Sequence, residues 1–322
     1  MRKTLRRVVI SIVLVITATA ASAENYPTKP IRFIVPTAPG GSPDILARIV
    51  GNKLGEQLKT QIVVDTRPGG SGIIGVEIAK AGAPDGYTLL LVTSTTFASL
   101  PVLKKKLPYD PDRDFIALSR VARVANVVTV NAGIDVNSIA DLVKLAKDKP
   151  GQLNYGSAGN GSPAHLAGAM FNVLAGVQTM HIPYKGAAPA MSDMMGGQIQ
   201  FLITSPLVAM PHGRAGRIKV LASTGAERDP LLPELPTVAA TVSGYEIVQW
   251  WGLAAPRGTP AGITRLLHKE LITALTSPEV KALMNKNGAT PNPESSAGFV
   301  TFMKTERARI ASIGKKAGIQ LD

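Results

Sequence analysis

Strand-like and helical segments alternate along this chain, and that alternation restricts its fold more than any other feature. Residues 31–36 form a short apolar run, and residues 44–59 place apolar side chains along one helical face. Residues 62–64, 73–80 and 87–92 then predict a strand, a helix and a strand. The unbroken apolar run of the last strand is typical of burial on both faces. The pattern predicts an α/β protein with helices flanking parallel strands.

A second round of the same alternation begins near Asn126. It contains strand-like segments at 127–130, 153–155, 179–183, 199–203 and 218–222, with helical segments at 138–147, 163–175 and 188–195 between them. A proline-containing connector leads to a strand-like segment at 245–255 and to helices at 263–275, 278–286 and 295–317. This final stretch lacks enough strands for a sheet of its own, so we expect it to return to the first unit.

The predicted organisation is therefore two lobes, each a mostly parallel sheet flanked by helices. Lobe 1 comprises 24–124 plus 240–322, and lobe 2 comprises 125–239. About 300 residues is where a single hydrophobic core stops growing, which favours this division. The chain would cross between the lobes near 121–126 and 237–246, and these crossings would act as a hinge around a cleft.

Residues 1–23 have the pattern of a secretory signal peptide. Basic residues at positions 2, 3, 6 and 7 precede an uncharged run over 8–21, and Ala21-Ser22-Ala23 resembles a cleavage site. The run of about 14 residues is shorter than the roughly 20 needed to span a bilayer. We expect cleavage after Ala23 and export of the remaining chain.

Composition excludes several classes of protein. The sequence has no cysteine, so it forms no disulfide or cysteine-containing zinc site, and it has no thiol nucleophile. Its four histidines, His165, His181, His212 and His268, lack metal-ligand spacing, and His181 is interpreted as a packed structural residue. Removing the four bases of the signal leaves 31 basic and 22 acidic residues, a net charge of +9. With 15 aromatic residues and no basic stripe, nucleic-acid binding is not expected.

Motifs for cofactors or catalysis are weak. Residues 70–75 match G-x-G-x-x-G, but the first glycine lies five residues beyond the strand end at Asp65. No acidic residue for a ribose follows about 20 residues later, so a glycine-rich helix cap is the favoured interpretation. No phosphate loop or G-x-S-x-G elbow occurs. We expect no cofactor, no metal and no catalytic activity.

Three turns have the composition of anion-binding sites. Residues 36–44, 155–165 and 183–189 each follow a predicted strand and lead into a helix. Backbone N–H groups at a helix N-terminus attract anions, and open α/β sheets place ligands at the carboxyl ends of their strands. Two of these turns belong to different predicted lobes, so closure about the hinge would hold a small anion between them.

These turns also carry a family resemblance. Pro39-Gly40-Gly41-Ser42-Pro43-Asp44, Arg67-Pro68-Gly69 and Pro84-Asp85-Gly86-Tyr87 are followed in order by the segments at 155–162, 165–166, 183–186 and 193–198. Together they resemble the periplasmic solute-binding proteins of tripartite tricarboxylate transport, the Bug family, over essentially the whole mature chain. The resemblance implies a two-lobed Venus-flytrap fold, a periplasmic location and a carboxylate ligand. It also implies delivery to a small and a large membrane subunit by a monomeric receptor.

The resemblance further implies the positions of the binding residues. The first jaw would contain Gly40, Gly41, Ser42 and Asp44, and the second would contain Ser157, Gly159, Asn160, Gly161, Ser162 and His165. Thr95, Tyr184, Lys185, Asp193 and Ser205 would set selectivity. Family members often have a hydroxyl residue where this chain has Pro43. Gly41→Val and Ser157→Tyr are expected to remove binding while leaving the fold intact.

The identity of the ligand stays open at this point. Citrate-like, dicarboxylic and aromatic acids are possible, and Asp44 and Asp193 would also suit an amino acid or hydroxy acid. Two other functions are alternatives to a transport receptor. One is an exported hydrolase that uses Ser157 or Ser162 with His165, and the other is a ligand-sensing adaptor for a membrane sensor.

Overall fold

The computed structural model describes residues 26–286 and 288–321. The signal peptide and its cleavage site lie outside these residues. The described chain contains two β-sheets with helices packed against them, so the predicted α/β class is confirmed. None of the described helices is long and apolar enough to cross a membrane.

The first sheet has six strands in the order β11-β4-β10-β3-β1-β2. β1 pairs in parallel with both β2 and β3, while β10 is antiparallel to β3 and β4. The late strand β10 therefore lies in the middle of a sheet begun by the first strands of the chain, as the sequence predicts for the final stretch. The strands are β1 (Ile31–Val35), β2 (Ile62–Thr66), β3 (Thr88–Thr93), β4 (Phe115–Ala125), β10 (Val248–Pro256) and β11 (Thr290–Pro291).

The second sheet has five strands in the order β7-β6-β8-β5-β9. β6 is parallel to β7 and β8, and β5 is antiparallel to β8 and β9. All five strands come from the middle of the chain. They are β5 (Val127–Asn131), β6 (Asn154–Ser157), β7 (Met180–Pro183), β8 (Phe201–Thr204) and β9 (Ile218–Ser223).

Both sheets are mixed, so the prediction of mostly parallel sheets is wrong in this detail. The antiparallel pairs involve β4, β5 and β10, the strands on either side of the passages between the sheets. β4 ends at Ala125 and β5 begins at Val127, so only Asn126 separates a strand of one sheet from a strand of the other. A chain that runs straight from one sheet into the next enters it without a crossover helix, and can pair antiparallel to its neighbours.

Helices cover both sheets, and their starts follow the sequence signals for capping. Ser138, Ser162, Ser205 and Ser295 each accept a backbone N–H from the first turn of the helix that follows. The helices are α1 (Ser42–Leu58), α2 (Ile73–Lys80), α3 (Leu100–Leu103), α4 (Pro111–Asp114), α5 (Ile139–Asp148), α6 (Pro163–Ala175), α7 (Ala187–Met195), α8 (Pro206–Arg214), α9 (Ala261–Thr276), α10 (Pro278–Lys286) and α11 (Ser296–Ala317). A π-helical turn (Thr95–Ser99) and 3-10 turns (Gly70–Gly72, Val238–Ala240) complete them.

The sequence interpretation misses the long strand β4. Its 11 residues include Ser119, Arg120 and Arg123, which interrupt the apolar pattern. In the structure Arg120 pairs with Glu294 at 3.0 Å and stacks on the ring of Phe302, 3.9 Å from the ring centre. A guanidinium that is paired and stacked can lie at a sheet face, which is why this strand tolerates an arginine.

The two sheets are not isolated from each other. One apolar cluster contains buried residues of both, among them Leu90 and Trp250 from the first sheet and Val128 and Phe201 from the second. Helices α6 and α11 pack together, and Tyr245 Oη donates to the carbonyl of Ala167 at 2.9 Å. The lobe boundaries and hinge positions given above therefore stay predictions.

Candidate functional site

A cavity of about 80 Å³ lies where turns from both sheets meet. Its walls come from the turn after β1, the glycine segment before α2, the ends of β3 and β8, the strand junction at Asn126, and the turns after β6 and β7. Among the described residues that line the cavity, Lys185 is the only charged one. The lining residues are Pro36, Thr37, Gly41, Ser42, Pro43, Gly69, Gly70, Ser71, Gly72, Thr93, Thr95, Asn126, Ala158, Ser162, Pro163, Ala164, Tyr184, Lys185, Ala187, Leu202, Ile203, Thr204 and Gln249.

The first turn connects β1 to α1 and is shaped by Asp44. The Asp44 carboxylate accepts the N–H of Gly40 at 2.9 Å and pairs with Arg48, one turn along α1, at 2.9 Å. Gly40 has φ +76°, a backbone conformation that favours glycine. Asp44 therefore holds the turn and is neutralised by Arg48. The ion pair with Arg48 explains how the Asp44 carboxylate can lie near a predicted anion site without repelling an anion.

Two backbone N–H groups of this turn are left without a hydrogen-bond acceptor among the described residues. The N–H groups of Gly41 and Ser42 donate to no acceptor among the described residues. Gly41 is the N-cap and Ser42 the first residue of the 17-residue helix α1, where the helix dipole is positive. Pro43 lies in the first turn, where its missing N–H costs no intrahelical hydrogen bond.

The second turn, between β6 and α6, is held by Ser157. This serine is fully buried, and its Oγ lies 2.6 Å from His181 Nε2, 3.0 Å from the Gly159 carbonyl oxygen and 3.0 Å from the Gly159 nitrogen, whose N–H it accepts. Gly161 N–H is accepted by His165 Nδ1 at 3.1 Å. The N–H groups of Gly159 and Gly161 are thus used internally, whereas those of Ala158 and Asn160 have no acceptor among the described residues, and of these two Ala158 lines the cavity.

The two histidines beside this turn stack on each other. The rings of His165 and His181 lie 4.0 Å apart at 17° between planes. Burial lowers the pKa of His165 to about 4, and burial together with the charge of His165 lowers the pKa of His181 to about 3. Both rings are therefore neutral at pH 7, and the interpretation of His181 as a packed structural residue agrees with this environment.

This arrangement bears on the hydrolase alternative. That hypothesis needs the imidazole of His165 to activate Ser157 or Ser162. Instead His165 Nδ1 accepts from Gly161, and the Ser162 hydroxyl accepts the backbone N–H of His165 at 3.2 Å as the cap of α6. Ser157 does contact a histidine, but it is His181, and the hydroxyl has no exposed surface for a substrate. The structure does not supply the geometry that the hypothesis requires.

The third turn, after β7, brings Tyr184 and Lys185 to the cavity. Tyr184 Oη donates to the Asp193 carboxylate on α7 at 2.8 Å, and burial followed by this hydrogen bond raises the pKa of Tyr184 to about 12. The Lys185 carbonyl accepts the N–H of Ala38 from the first turn at 3.2 Å. The described residues give the Lys185 ammonium no ion-pair partner.

The turns from the two sheets are in direct contact. A Cβ placed on Gly159 would lie 3.1 Å from Ser71 Oγ, and one on Gly186 would lie 3.1 Å from the Cβ of Ala38. Gly159 and Gly186 belong to the five-stranded sheet, whereas Ala38 and Ser71 belong to turns of the six-stranded sheet. Turns of the two sheets therefore meet on both sides of the cavity.

The cavity wall contains some of the predicted site residues and not others. Gly41, Ser42, Thr95, Ser162, Tyr184 and Lys185 line it. Outside the lining, Gly40, Asp44, Ser157, Gly159, Gly161, His165 and Asp193 support the turns through the contacts above, Asn160 faces a neighbouring surface cavity, and Ser205 caps α8. Ser157 is fully buried, so from the structure we expect Ser157→Tyr to destabilise the fold as well as to remove binding.

Several lining residues were not identified from the sequence. Asn126, Thr37 and Gln249 are isolated polar residues in strands or turns, and no local pattern distinguishes them from surface residues. Ser71 lies in the glycine segment, which the sequence analysis treated only as a helix cap. Thr204 lies at the end of strand β8 and lines the cavity. The apolar run of β8 predicts the strand, but no pattern in the sequence marks Thr204 itself.

Comparison with known proteins matches this chain to a family of receptors. The profile described as tripartite tricarboxylate transporter family receptor matches residues 46–319. The periplasmic binding protein BugD has 31% sequence identity and a TM-score of 0.88, with 92% of this chain and 99% of BugD covered.

Two further solved structures are similar and contain ligands. A Rhodopseudomonas palustris protein with adipate is 35% identical, with a TM-score of 0.90 and coverage of 92% of this chain and 99% of that protein. MatC from the same species, with bound malate, is 27% identical, with a TM-score of 0.84 and coverage of 89% and 99%. Both ligands carry two carboxyl groups.

Proposed function

Because this chain belongs to the tripartite tricarboxylate transporter receptor family, whose members are periplasmic solute-binding proteins, we propose that it captures a small carboxylate-bearing organic acid in the cleft between its two sheets. The loaded receptor then delivers the acid to the small and large membrane subunits of a tripartite transporter. Export through the signal at residues 1–23, with cleavage after Ala23, belongs to the same proposal.

The observation that carries the proposal is the convergence of unused donors on one cavity. The N–H groups of Gly41 and Ser42 come from a turn of one sheet and that of Ala158 from a turn of the other, and Lys185 lines the same cavity. A carboxylate accepts several hydrogen bonds at once and is stabilised by a nearby cation. No acidic side chain lines the cavity. These are the requirements for holding an organic anion from both sides.

The proposed residues fall into two groups. Gly41, Ser42 and Ala158 donate to the ligand carboxylate, and Thr95, Ser162, Tyr184 and Lys185 contact the rest of the ligand. Asp44, Ser157, His165 and Asp193 act through these residues by fixing the turns and the tyrosine. Binding without chemical conversion is part of the proposal, and it is supported by the enclosure of the Ser157–His181 contact within the turn itself.

The test is a thermal-shift screen of organic acids on the mature protein, followed by calorimetry on each acid that raises Tm. A ligand present at 100 times its Kd would stabilise the protein by about 2.7 kcal/mol. Gly41→Val should abolish this shift, because the new side chain enters the cavity wall beside the donors. Its Cβ would make only ordinary contacts, the nearest at 3.5 Å to the Ala38 oxygen, so the fold should persist.

Gly196→Val is the matched control. Gly196 lies at the end of α7, away from the cavity, and a Cβ there would also find its nearest neighbour at 3.5 Å. It should bind acids as the wild type does. Undiminished affinity in folded Gly41→Val, or turnover of the bound acid by the wild type, would contradict the proposal. Co-purification of tagged receptor with the membrane subunits tests the delivery step.

A further inference from the structure

Asn126 lies at the strand junction that joins the two sheets, and it also lines the cleft. The residue is 1% exposed, and neither its Oδ1 nor its Nδ2 has a hydrogen-bond partner among the described residues. Only its backbone is engaged, with the carbonyl accepting Thr224 N–H at 2.7 Å. Leaving a buried donor and a buried acceptor unpaired is unfavourable, so the amide is expected to find its partners in a ligand.

The surroundings of this amide restrict what the partner can be. Thr204 pairs with Val127, the residue next to Asn126, and Gln249 pairs with Val124 on the adjoining strand. Thr204 and Gln249 line the same part of the cavity, and both are uncharged. The one lining cation, Lys185, belongs to the turn after β7. Strands β6 and β8 lie between β7 and β5 in the sheet, so the backbone of Lys185 is about 14 Å across the sheet from Asn126, and the uncharged Thr204 and Gln249 are the lining residues beside the amide.

An amide presents one accepting oxygen and two N–H donors. A second carboxylate could accept from Nδ2, but it has no proton to donate to Oδ1 and would place two oxygens against each other. A hydroxyl or a carboxamide both donates and accepts, so either satisfies the whole side chain. This argument holds whichever way the amide is oriented, because both of its ends are unpaired.

We propose that Asn126 is a specificity-determining residue that selects ligands with one carboxylate and a separate neutral hydroxyl or amide group. This inference rests on the proposed function, since it requires the carboxylate to bind at the turns of Gly41 and Ala158. The side-chain amide of Asn126 then forms hydrogen bonds with the hydroxyl or amide group at the other end of the same molecule. The preferred substrate class is a hydroxy or amido monocarboxylic acid.

The experiment compares acids of equal length by calorimetry at pH 8. One set is butyrate, its terminal hydroxy derivative and succinate, and a second is hexanoate, its terminal hydroxy derivative and adipate. In at least one set the hydroxy acid should bind about tenfold or more tightly than both of its partners. Asn126→Leu should remove that margin and leave the three acids with similar affinities.

Asn126→Leu should also keep or raise the Tm of the ligand-free protein, because the leucine replaces an unpaired buried amide with an apolar group of similar size. This readout separates a specificity residue from a structural one, whose loss would lower the Tm. Asn137→Leu, the same change in an exposed loop, is the control and should alter neither affinity nor selectivity.

Three results would overturn the inference. The first is tighter binding of the dicarboxylate than of the hydroxy acid in both sets. The second is a hydroxyl preference that persists in Asn126→Leu, and the third is a lower ligand-free Tm in that variant. All three leave the proposed receptor function standing, whereas failure of every acid to bind the wild-type protein would overturn the function and the inference together.

Discussion

At the scale of single residues, the candidate site contains residues with unpaired N–H donors and other residues that hold the turns in place. Ser157 and Asp44 are buried and hydrogen-bonded to the turns, while the N–H groups that they leave unpaired belong to residues that line the cavity. A side chain that ties up some backbone N–H groups decides which others stay free. In the proposed site, residues outside the cavity lining therefore determine which amides are available to a carboxylate.

Lys185 supports the first prediction. As the only charged side chain in the cavity lining, it should account for most of the salt dependence of ligand binding. Lys185→Gln is expected to weaken binding of an organic acid about threefold to tenfold and to flatten its dependence on NaCl concentration, measured by calorimetry at two ionic strengths. Lys144→Gln, on the exposed face of α5, should change neither. A Lys185 variant with wild-type affinity and salt dependence would show that the ammonium lies too far from the ligand to act.

The histidine pair supports a prediction about pH. His165 and His181 titrate near pH 4 and 3 in the folded protein, below the ordinary histidine pKa of about 6.5. Between these values the unfolded chain binds more protons than the folded one, so stability falls as the pH drops from about 6.5 towards 4. Replacing one ring, in His165→Gln, should reduce the loss of Tm between pH 7.5 and 4.5. An equal loss in the variant and the wild type would mean that the rings contribute nothing to acid sensitivity.

At the scale of elements, the segment 70–75 is explained by packing. Gly72 has φ +97°, and a Cβ on Gly75 would lie 2.7 Å from the Cα of Pro36. Helix α2 thus approaches the end of β1 closely enough to exclude any side chain at Gly75. The G-x-G-x-x-G pattern serves this close approach and places Ser71 in the cleft wall, and no dinucleotide is needed to account for it.

Gly75→Ala tests this reading of the segment. Because the nearest atom is backbone, the methyl group should force α2 away from β1 and destabilise the protein by about 1–3 kcal/mol. Denaturant unfolding measures the change. Gly196→Ala is the control, since its Cβ meets no atom closer than 3.5 Å and its backbone is helical. Equal stability of the two variants would show that α2 can move without cost.

At the scale of the whole molecule, the contacts across the cleft define one state of a proposed hinge. Ala38 N–H donates to Lys185 O, and the turns pack through Gly159 and Gly186. On the far side of the crossings, α6 and α11 also pack together and share an apolar cluster. In the proposed hinge motion, the turns would separate while the contact between α6 and α11 bends or slides. This requirement favours a rotation about the strand junction at Asn126.

A disulfide across the cleft would report this motion. The protein has no cysteine, and a Cβ on Gly40 would lie 3.6 Å from the Cβ of Ala188, within the range that a disulfide spans. Because Gly40 has φ +76°, a cysteine there strains the first turn, so the double variant Gly40→Cys and Ala188→Cys is first tested for binding of an organic acid. Mild oxidation should then form an intramolecular bond, and a saturating acid should speed its formation by favouring the closed state. Gel mobility without reductant measures the rate, and each single variant is a control. A rate that does not respond to any acid that binds would argue against a ligand-driven hinge.

The sequence determined the elements and their order because those depend on local patterns. Most strand and helix segments from Ile31 to Thr93 and from Val127 to Ser223 follow apolar periodicity, and serine caps and glycine turns fix where helices start. Helix α8 was not predicted, because Pro211 lies inside it and proline normally ends a helix. The three turns at the strand ends were identified for the same reason. β4 was missed because its arginines are accommodated by partners on distant parts of the chain.

Only the tertiary structure decided which atoms face the cavity. Gly159 and Gly161 were predicted binding residues, yet their N–H groups are used by Ser157 and His165, whereas Ala158 and Asn126 had no distinguishing pattern and line the cleft. A hydrogen bond between residues far apart in sequence depends on how the sheets are placed, and local spacing carries no record of it. The sequence therefore located the turns, and the packing of the two sheets selected the donors within them.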